Sequence, residues 1–337
     1  MTTRDDTRIF EKFSQYIALV GRGQKSGKTM NQAQAQDAMA RILNNEALPE
    51  QVGALLMLLR MREETTEELS GLLLACRQTL PQSISTLSSI DLDLGCYAGK
   101  RRHLPWLLLS VILLAQQGYK VFMHGLEESD SNRLYLDTVF TSLNIPIAKS
   151  VEEAKLHLAQ RNFCYMSIKD LHPQMASLLG MRHTLGLRSC MHTLAKMLNP
   201  ANAKASVHGV FHRELDNHHI EVAKILGESK VACIRGDSGE VEATPEKAFS
   251  MQYLQSKNAL TREFPVLLSQ WSHQTRQLQV HALPQVWCGE LDSPYGHAAS
   301  IGTAAVALSC MENLSTEDAL SKAQKMWDER NKVWPIV

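Results

Sequence analysis

The feature that most constrains this chain is a change of period near residue 89. Before it, apolar side chains return at helical spacing. Ile9, Phe10, Phe13, Tyr16, Ile17 and Val20 form one stripe, and Ala38, Met39, Ile42 and Leu43 form another behind an Asn31 N-cap, ended by Asn44 and Asn45. Pro49 opens a third helix, PEQVGALLMLLRMR, and Thr65 with Glu68 forms a capping box for a fourth. Beyond it, short strands alternate with helices: SIDLDLG, an apolar helix from Leu104, KVFMHG, a helix over 131–143, FCYMSI and later KVACIRG. Such alternation specifies an α/β fold with a mostly parallel sheet covered by helices. The expected organisation is a helical N-terminal domain over 1–82 and an α/β domain over 89–337, joined by a Ser/Thr-rich hinge. In sheets of this kind ligands bind past the carboxyl ends of the strands, so the loops at 95–103, 124–129 and 235–242 are where chemistry is expected.

Composition removes several alternatives. Lys+Arg and Asp+Glu balance at 35 each in 337 residues, so any attraction for a polyanion has to be local. The seven cysteines are scattered with no C-x-x-C pair, which suits buried thiols in a reducing cytosol and points to a cytoplasmic protein. The N-terminus carries no apolar signal core. The run from Leu104 to Ala115 is shorter than the ~20 residues that span a bilayer, so it reads as a buried core helix with no membrane role.

The stretch GRGQKSGKT at 21–29 invites a P-loop reading, but the spacing fails. A glycine is required where Arg22 stands, and the Asn31 cap starts a new helix instead of continuing one from Gly27. Its cations Arg22, Lys25 and Lys28 therefore need another explanation.

Two segments resemble a known family. NNEALPEQVGALLMLLRMREETTEELSGLLLACRQ is similar to the N-terminal helical domain of anthranilate phosphoribosyltransferases. HPQMASLLGMRHTLGLRSCMHTLAKMLNP resembles their "HP…M…RxxLGxRT…NLLGPLxNP" segment at His172, Pro173, Met175, Arg182, Leu185, Gly186, Arg188, Leu194, Asn199 and Pro200. The resemblance implies a nucleoside phosphorylase/phosphoribosyltransferase-type fold, with helices from about 172–198 packing on the helical domain, and a homodimer formed through that domain. The family's reaction uses phosphoribosyl pyrophosphate and Mg, yet its motifs are altered here. The family's GTGGD loop reads LGCYAGKRRH at 94–103, and its Lys-His-Gly-Asn-Arg reads Met123-His124-Gly125-Leu126-Glu127. Its paired Asp-Glu metal ligands align with Val241-Glu242, leaving Asp237 and Glu242 as weak metal candidates.

New cations accompany the losses. Lys100, Arg101, Arg102 and His103 precede an apolar helix, where a dipole disfavours cations unless an anion binds. Arg188, His192 and Lys196 follow one another at i, i+4, i+8 as a stripe on one helix face, with Arg182 before it. With Arg22, Lys25 and Lys28 they are expected to line a basic interlobe groove that binds the phosphate backbone of single-stranded DNA or RNA without strong sequence preference and without a cofactor. A divergent branch of the family that lacks the phosphoribosyl motifs is associated with nucleic-acid binding, and this sequence resembles it. Trp106, Tyr97 and His103 have the chemistry to stack on bases, although Trp106 at the head of an apolar helix reads as core. Two other functions stay open: a diverged transferase using phosphoribosyl pyrophosphate and Mg with a different acceptor, and a binder of small anions.

Overall fold

The computed structural model describes residues 4–22, 28–128, 131–269 and 279–335, with side chains from residue 12 onward. The chain divides into two compact units: Met1–Pro81 with His172–Leu198, and Gln82–Leu171 with Asn199–Val337.

The first unit is helical. It holds α1 (Arg4–Val20), α2 (Gln32–Leu43), α3 (Pro49–Arg62) and α4 (Thr66–Gln78). Asn31 caps α2 by accepting from Gln34 N, and Thr65 with Glu68 closes the capping box of α4. Glu68 is fully buried and also accepts from Met30 N at 2.8 Å and from Arg62 at 2.6 Å, so one carboxylate fixes both the helix start and the end of the 21–29 loop. Lys28 N donates to Leu19 O, near the end of α1, at 3.1 Å.

The second unit is built on a seven-stranded sheet of order β3-β2-β1-β4-β5-β6-β7. In chain order it contains β1 (Leu92–Cys96), α5 (Leu107–Gln116), β2 (Val121–Gly125), α6 (Leu136–Ser142), α7 (Val151–Arg161), β3 (Phe163–Ser167) and α8 (Ile168–Leu171). The chain then contributes α9 (Pro173–Gly180), α10 (Arg182–Leu185) and α11 (Met191–Lys196) to the first unit. It returns as β4 (Ala205–Val210), α12 (Leu215–Ile225), β5 (Lys230–Arg235), β6 (Phe249–Gln255), β7 (Asn258–Phe264), α13 (Ala282–Cys288), α14 (Pro294–Glu312) and α15 (Thr316–Asp328). Strands β1 to β5 run parallel, and β6 and β7 add an antiparallel hairpin at one edge.

Alternation decides what each face of the sheet touches. Leu92, Leu94, Val121, Met123, Ala205, Val207, Ala232 and Ile234 lie on one face and join the core formed with α5 and α14. Every residue of α5 from Leu107 to Ala115 is buried, which accounts for the unbroken apolar run in the sequence. The opposite face carries polar groups at its centre. Asp93 on β1 accepts from Ser206 Oγ at 3.2 Å and lies 3.3 Å from His124 Nε2, while His124 Nδ1 is 2.7 Å from Tyr97 Oη. All four are buried, and the chain of bonds fastens Tyr97, the first residue past β1, to the sheet. Among the described residues no helix is long and apolar enough to cross a membrane.

Candidate functional site

The order of strands reverses between β1 and β4: the chain leaves β1 toward β2 on one side, and β4 and β5 extend the sheet on the other. The loops that follow β1, β4 and β5 thus flank a switch point, where a parallel sheet binds its ligand.

The loop after β1 offers backbone N–H groups. Those of Ala98 and Gly99 converge on a single atom, Glu240 Oε2, at 3.1 and 2.9 Å. Gly99 has φ +64°, a left-handed conformation, and successive amides arranged this way form an anion-binding concavity. Glu240 Oε1 accepts from Val241 N at 3.1 Å, and the residue is 3% exposed. Two positions on, Glu242 Oε1 lies 2.7 Å from Lys100 Nζ, and its Oε2 accepts from Leu107 N, the first amide of α5, at 2.8 Å. Desolvation raises the Glu242 carboxyl above its usual range, opposed by the Lys100 charge.

Both carboxylates reach the same loop because the chain folds tightly between them: Glu242 N donates to Glu240 O at 2.9 Å, a three-residue turn centred on Val241. Two glycines let that turn sit close to the strand ends. A Cβ on Gly209 would lie 2.4 Å from the carbonyl carbon of Glu240, and one on Gly236 would lie 1.9 Å from its oxygen. Arg133 adds a further tie, donating to Ala98 O at 2.6 Å, and Lys100 exchanges two backbone hydrogen bonds with Leu134.

Magnesium does not fit these residues. The Lys100 ammonium lies 2.7 Å from Glu242 Oε1 in a buried pair, so a cation already neutralises this carboxylate and would repel a divalent ion beside it, while Oε2 is turned to the Leu107 amide. Glu240 is likewise engaged by three amides. Asp237 keeps one buried oxygen, Oδ2, without a hydrogen bond, but a single carboxylate oxygen is not a magnesium site. No group of three or more His, Cys, Asp or Glu suited to a metal occurs among the described residues.

The expected cationic residues divide. Arg22, Lys28, Arg101 and Arg102 are exposed, and Lys25 lies outside the described residues. Lys100 departs from the expectation: it is 1% exposed and its ammonium is paired with Glu242, so it does not face a solvent-borne phosphate. His103 is stacked on Tyr295, with ring centroids 3.9 Å apart and planes at 8°. Burial, then the nearby Lys100 charge, hold it below the ordinary histidine range, which favours a neutral ring over a cation.

The basic helical stripe is also corrected. Gly186, at φ +71°, ends α10, and α11 begins at Met191, so Arg188 lies between helices and not one turn before His192 on the same face. His192 is pushed down to about 3, by burial first and then by Arg188, and is neutral at physiological pH. Arg182, Arg188 and Lys196 are half-buried, and each is already engaged in an interaction within the chain.

Tyr97 and Trp106 are buried, at 3% and 6% exposure, so neither offers a ring to a base. Among the described residues Phe211 is an exposed aromatic, 61% accessible past the carboxyl end of β4 and set edge-on to His212, with Arg213 exposed beside it. An aromatic flanked by His and Arg where a strand ends was the available signal for it.

Residues 14–80 match the glycosyl transferase family, helical bundle domain, and residues 107–282 match the glycosyl transferase family, a/b domain. An anthranilate phosphoribosyltransferase from Halalkalibacterium halodurans is 28% identical over 213 residues, which span 63% of this chain and 62% of that relative's length. A protein from Escherichia coli K12, named YbiB and described as uncharacterized, is 27% identical over 238 residues, 70% of this chain and 74% of its own. In fold, the chain resembles the anthranilate phosphoribosyltransferase of Thermus thermophilus with a TM-score of 0.76 at 19% identity, covering 94% of each chain. The Saccharomyces cerevisiae anthranilate phosphoribosyltransferase in complex with PRPP and Mg gives 0.73 at 16% identity, again over 94% of each. With more than half of its length matched by the a/b domain alone and the helical bundle domain before it, the chain belongs to the glycosyl transferase family, as an anthranilate phosphoribosyltransferase-like member.

Proposed function

We propose that this protein is a nucleic-acid-binding member of the family that has given up phosphoribosyl transfer. The observation that carries the reading is the pair Glu240 and Glu242. Phosphoribosyl transfer needs the diphosphate leaving group held and neutralised, and here the amides suited to that task are bonded to the chain's own carboxylates. A carboxylate fixed there repels a phosphate electrostatically as well as excluding it.

The remaining surface favours a polymer of phosphates. Arg101 and Arg102 are exposed on the loop after β1, and Arg22 and Lys28 at the base of the 21–29 loop. The segment His172–Leu198 adds Arg182, Arg188 and Lys196 and contains no carboxylate of its own. Phe211 supplies a ring for base stacking, which favours a single strand over a duplex because only unpaired bases present their faces. Phosphate contacts of this kind carry no sequence information, so binding is sequence-tolerant. Assembly into a homodimer through the helical unit is part of the same proposal and would double the cationic surface.

The test is a fluorescence-anisotropy titration of a labelled single-stranded oligonucleotide at several salt concentrations. Affinity is expected to fall linearly in logarithm with salt, with a slope of about −0.7 for each phosphate neutralised. Charge reversal of Arg101 and Arg102 is expected to flatten that slope by about one unit or more while leaving the melting temperature unchanged. Absence of binding at low salt ends the reading. Heat on mixing with phosphoribosyl pyrophosphate and Mg would favour a transferase instead.

A further inference from the structure

We propose that the loop after β1 still forms a working diphosphate cradle and that the protein carries its own occupant for it. The carboxylate of Glu240 stands where a phosphate oxygen would sit, and the Lys100 ammonium stands where a cation would sit against Glu242. The inference deepens the functional reading above and rests on it for why transfer is lost. Its test uses no nucleic acid, so the two fail separately.

Three observations support it. Ala98 and Gly99 direct two consecutive N–H groups at one oxygen, with Gly99 in the left-handed conformation that makes such a concavity. The charges also pair as in a metal-diphosphate site: an anion on the loop amides, and a cation bonded to the carboxylate that caps α5, with Lys100 and Glu242 both sealed from water. Finally, the occupant is held firmly. The turn between Glu240 and Glu242 rests on Gly209 and Gly236, where any side chain would collide with the Glu240 backbone.

The chemistry distinguishes this from an ordinary buried ion pair. If the cradle is intact, deleting the Glu240 carboxylate leaves two aligned, unsatisfied amides, and these gain by taking an anion from solution. If Glu240 is merely structural, the loop relaxes on deletion and binds nothing.

The probe is sodium pyrophosphate, titrated calorimetrically into the full-length protein. Wild type is expected to show no saturable heat, whereas Glu240→Ala is expected to bind at least about tenfold more tightly than wild type. Glu240→Gln keeps an amide oxygen for the same two donors and is expected to behave like wild type. A folded Glu240→Ala variant with no gain overturns the proposal, as does a wild type that binds equally well. Should Glu240→Ala fail to fold, Glu240→Asp decides. It keeps the charge but withdraws the carboxylate by one methylene, and the amide resonances of Ala98 and Gly99 are expected to move on pyrophosphate addition in that variant and not in wild type. Unmoved resonances in the variant would refute the idea.

Discussion

Lys100 Nζ lies 2.7 Å from Glu242 Oε1, with side-chain exposures of 2% and 0%, so two opposite charges separated by 142 positions in sequence share one dry pocket. Breaking such a pair is costly because it strands the partner. Lys100→Met is expected to destabilise the fold by about 3–5 kcal/mol, while Lys100→Met with Glu242→Leu recovers most of the loss, since a buried pair is often worth no more than packed apolar groups. Urea denaturation of the single and double variants checks this. Equal losses in both would show that the ion pair is not what the pocket depends on.

Under the proposed function, Phe211 is expected to make a separable contribution to binding. Phe211→Ala is expected to weaken a single-stranded oligonucleotide by about 1–3 kcal/mol, the worth of one stacked base. Affinity for a duplex and the salt slope are expected to stay unchanged, because no phosphate contact is removed. Parallel titrations with single-stranded and duplex DNA measure the difference, and an equal loss on both would remove Phe211 from the interface.

Stability is expected to fall on acidification in a way traceable to His192. Its folded value of about 3 lies below the ordinary 6.5, so on lowering the pH the unfolded chain takes up the proton first. The contribution is therefore complete above about pH 6.5 and is lost as pH falls toward 3, at a rate of up to about 1.4 kcal/mol per pH unit. His172 in the same unit shifts in the same direction through burial. His192→Gln is expected to reduce the difference in unfolding free energy between pH 7.5 and 5.5, measured by urea titration.

Gly236→Ala tests the seat of the Glu240 turn. The new Cβ would lie 1.9 Å from Glu240 O, a backbone atom that cannot swing aside, so overpacking of about 1–3 kcal/mol is expected. A lower urea midpoint with unchanged m-value is the expected signature. An unchanged midpoint would mean that the turn shifts freely.

The parts of the fold that the sequence disclosed are those set by local periodicity. The Asn31 cap, the Thr65–Glu68 capping box and the strands within SIDLDLG, KVFMHG, FCYMSI and KVACIRG form where spacing places them, and the core helix expected from Leu104 begins at Leu107, after Pro105. The hairpin of β6 and β7 gave no such notice. Its turn residues, Ser256 and Lys257, adopt positive φ of 49° and 70° without the Asn or Gly that usually marks this turn. At the site, Lys100 was indistinguishable from Arg101 and Arg102 in a run of three cations, because its partner lies far along the chain. The Arg188–Lys196 stripe assumed a helix already under way at Arg188, whereas α11 begins only at Met191. Glu240 was one of several acids in GDSGEVE, and only the amides it meets distinguish it.

The helical unit is written in two distant pieces, and this sets how the molecule can be dissected. Arg77 on α4 donates to the carbonyls of Met197 and Leu198 at 2.6 and 2.9 Å, and His172 Nε2 lies 2.9 Å from Thr79 Oγ1 and 3.1 Å from Cys76 O. A fragment truncated after Pro81 would lack every one of these partners from the second piece, so it should behave as a sticky, partly folded peptide. Fused through a short linker to residues 172–198, the same fragment should become an autonomous miniature, suited to asking what this half of the protein does by itself.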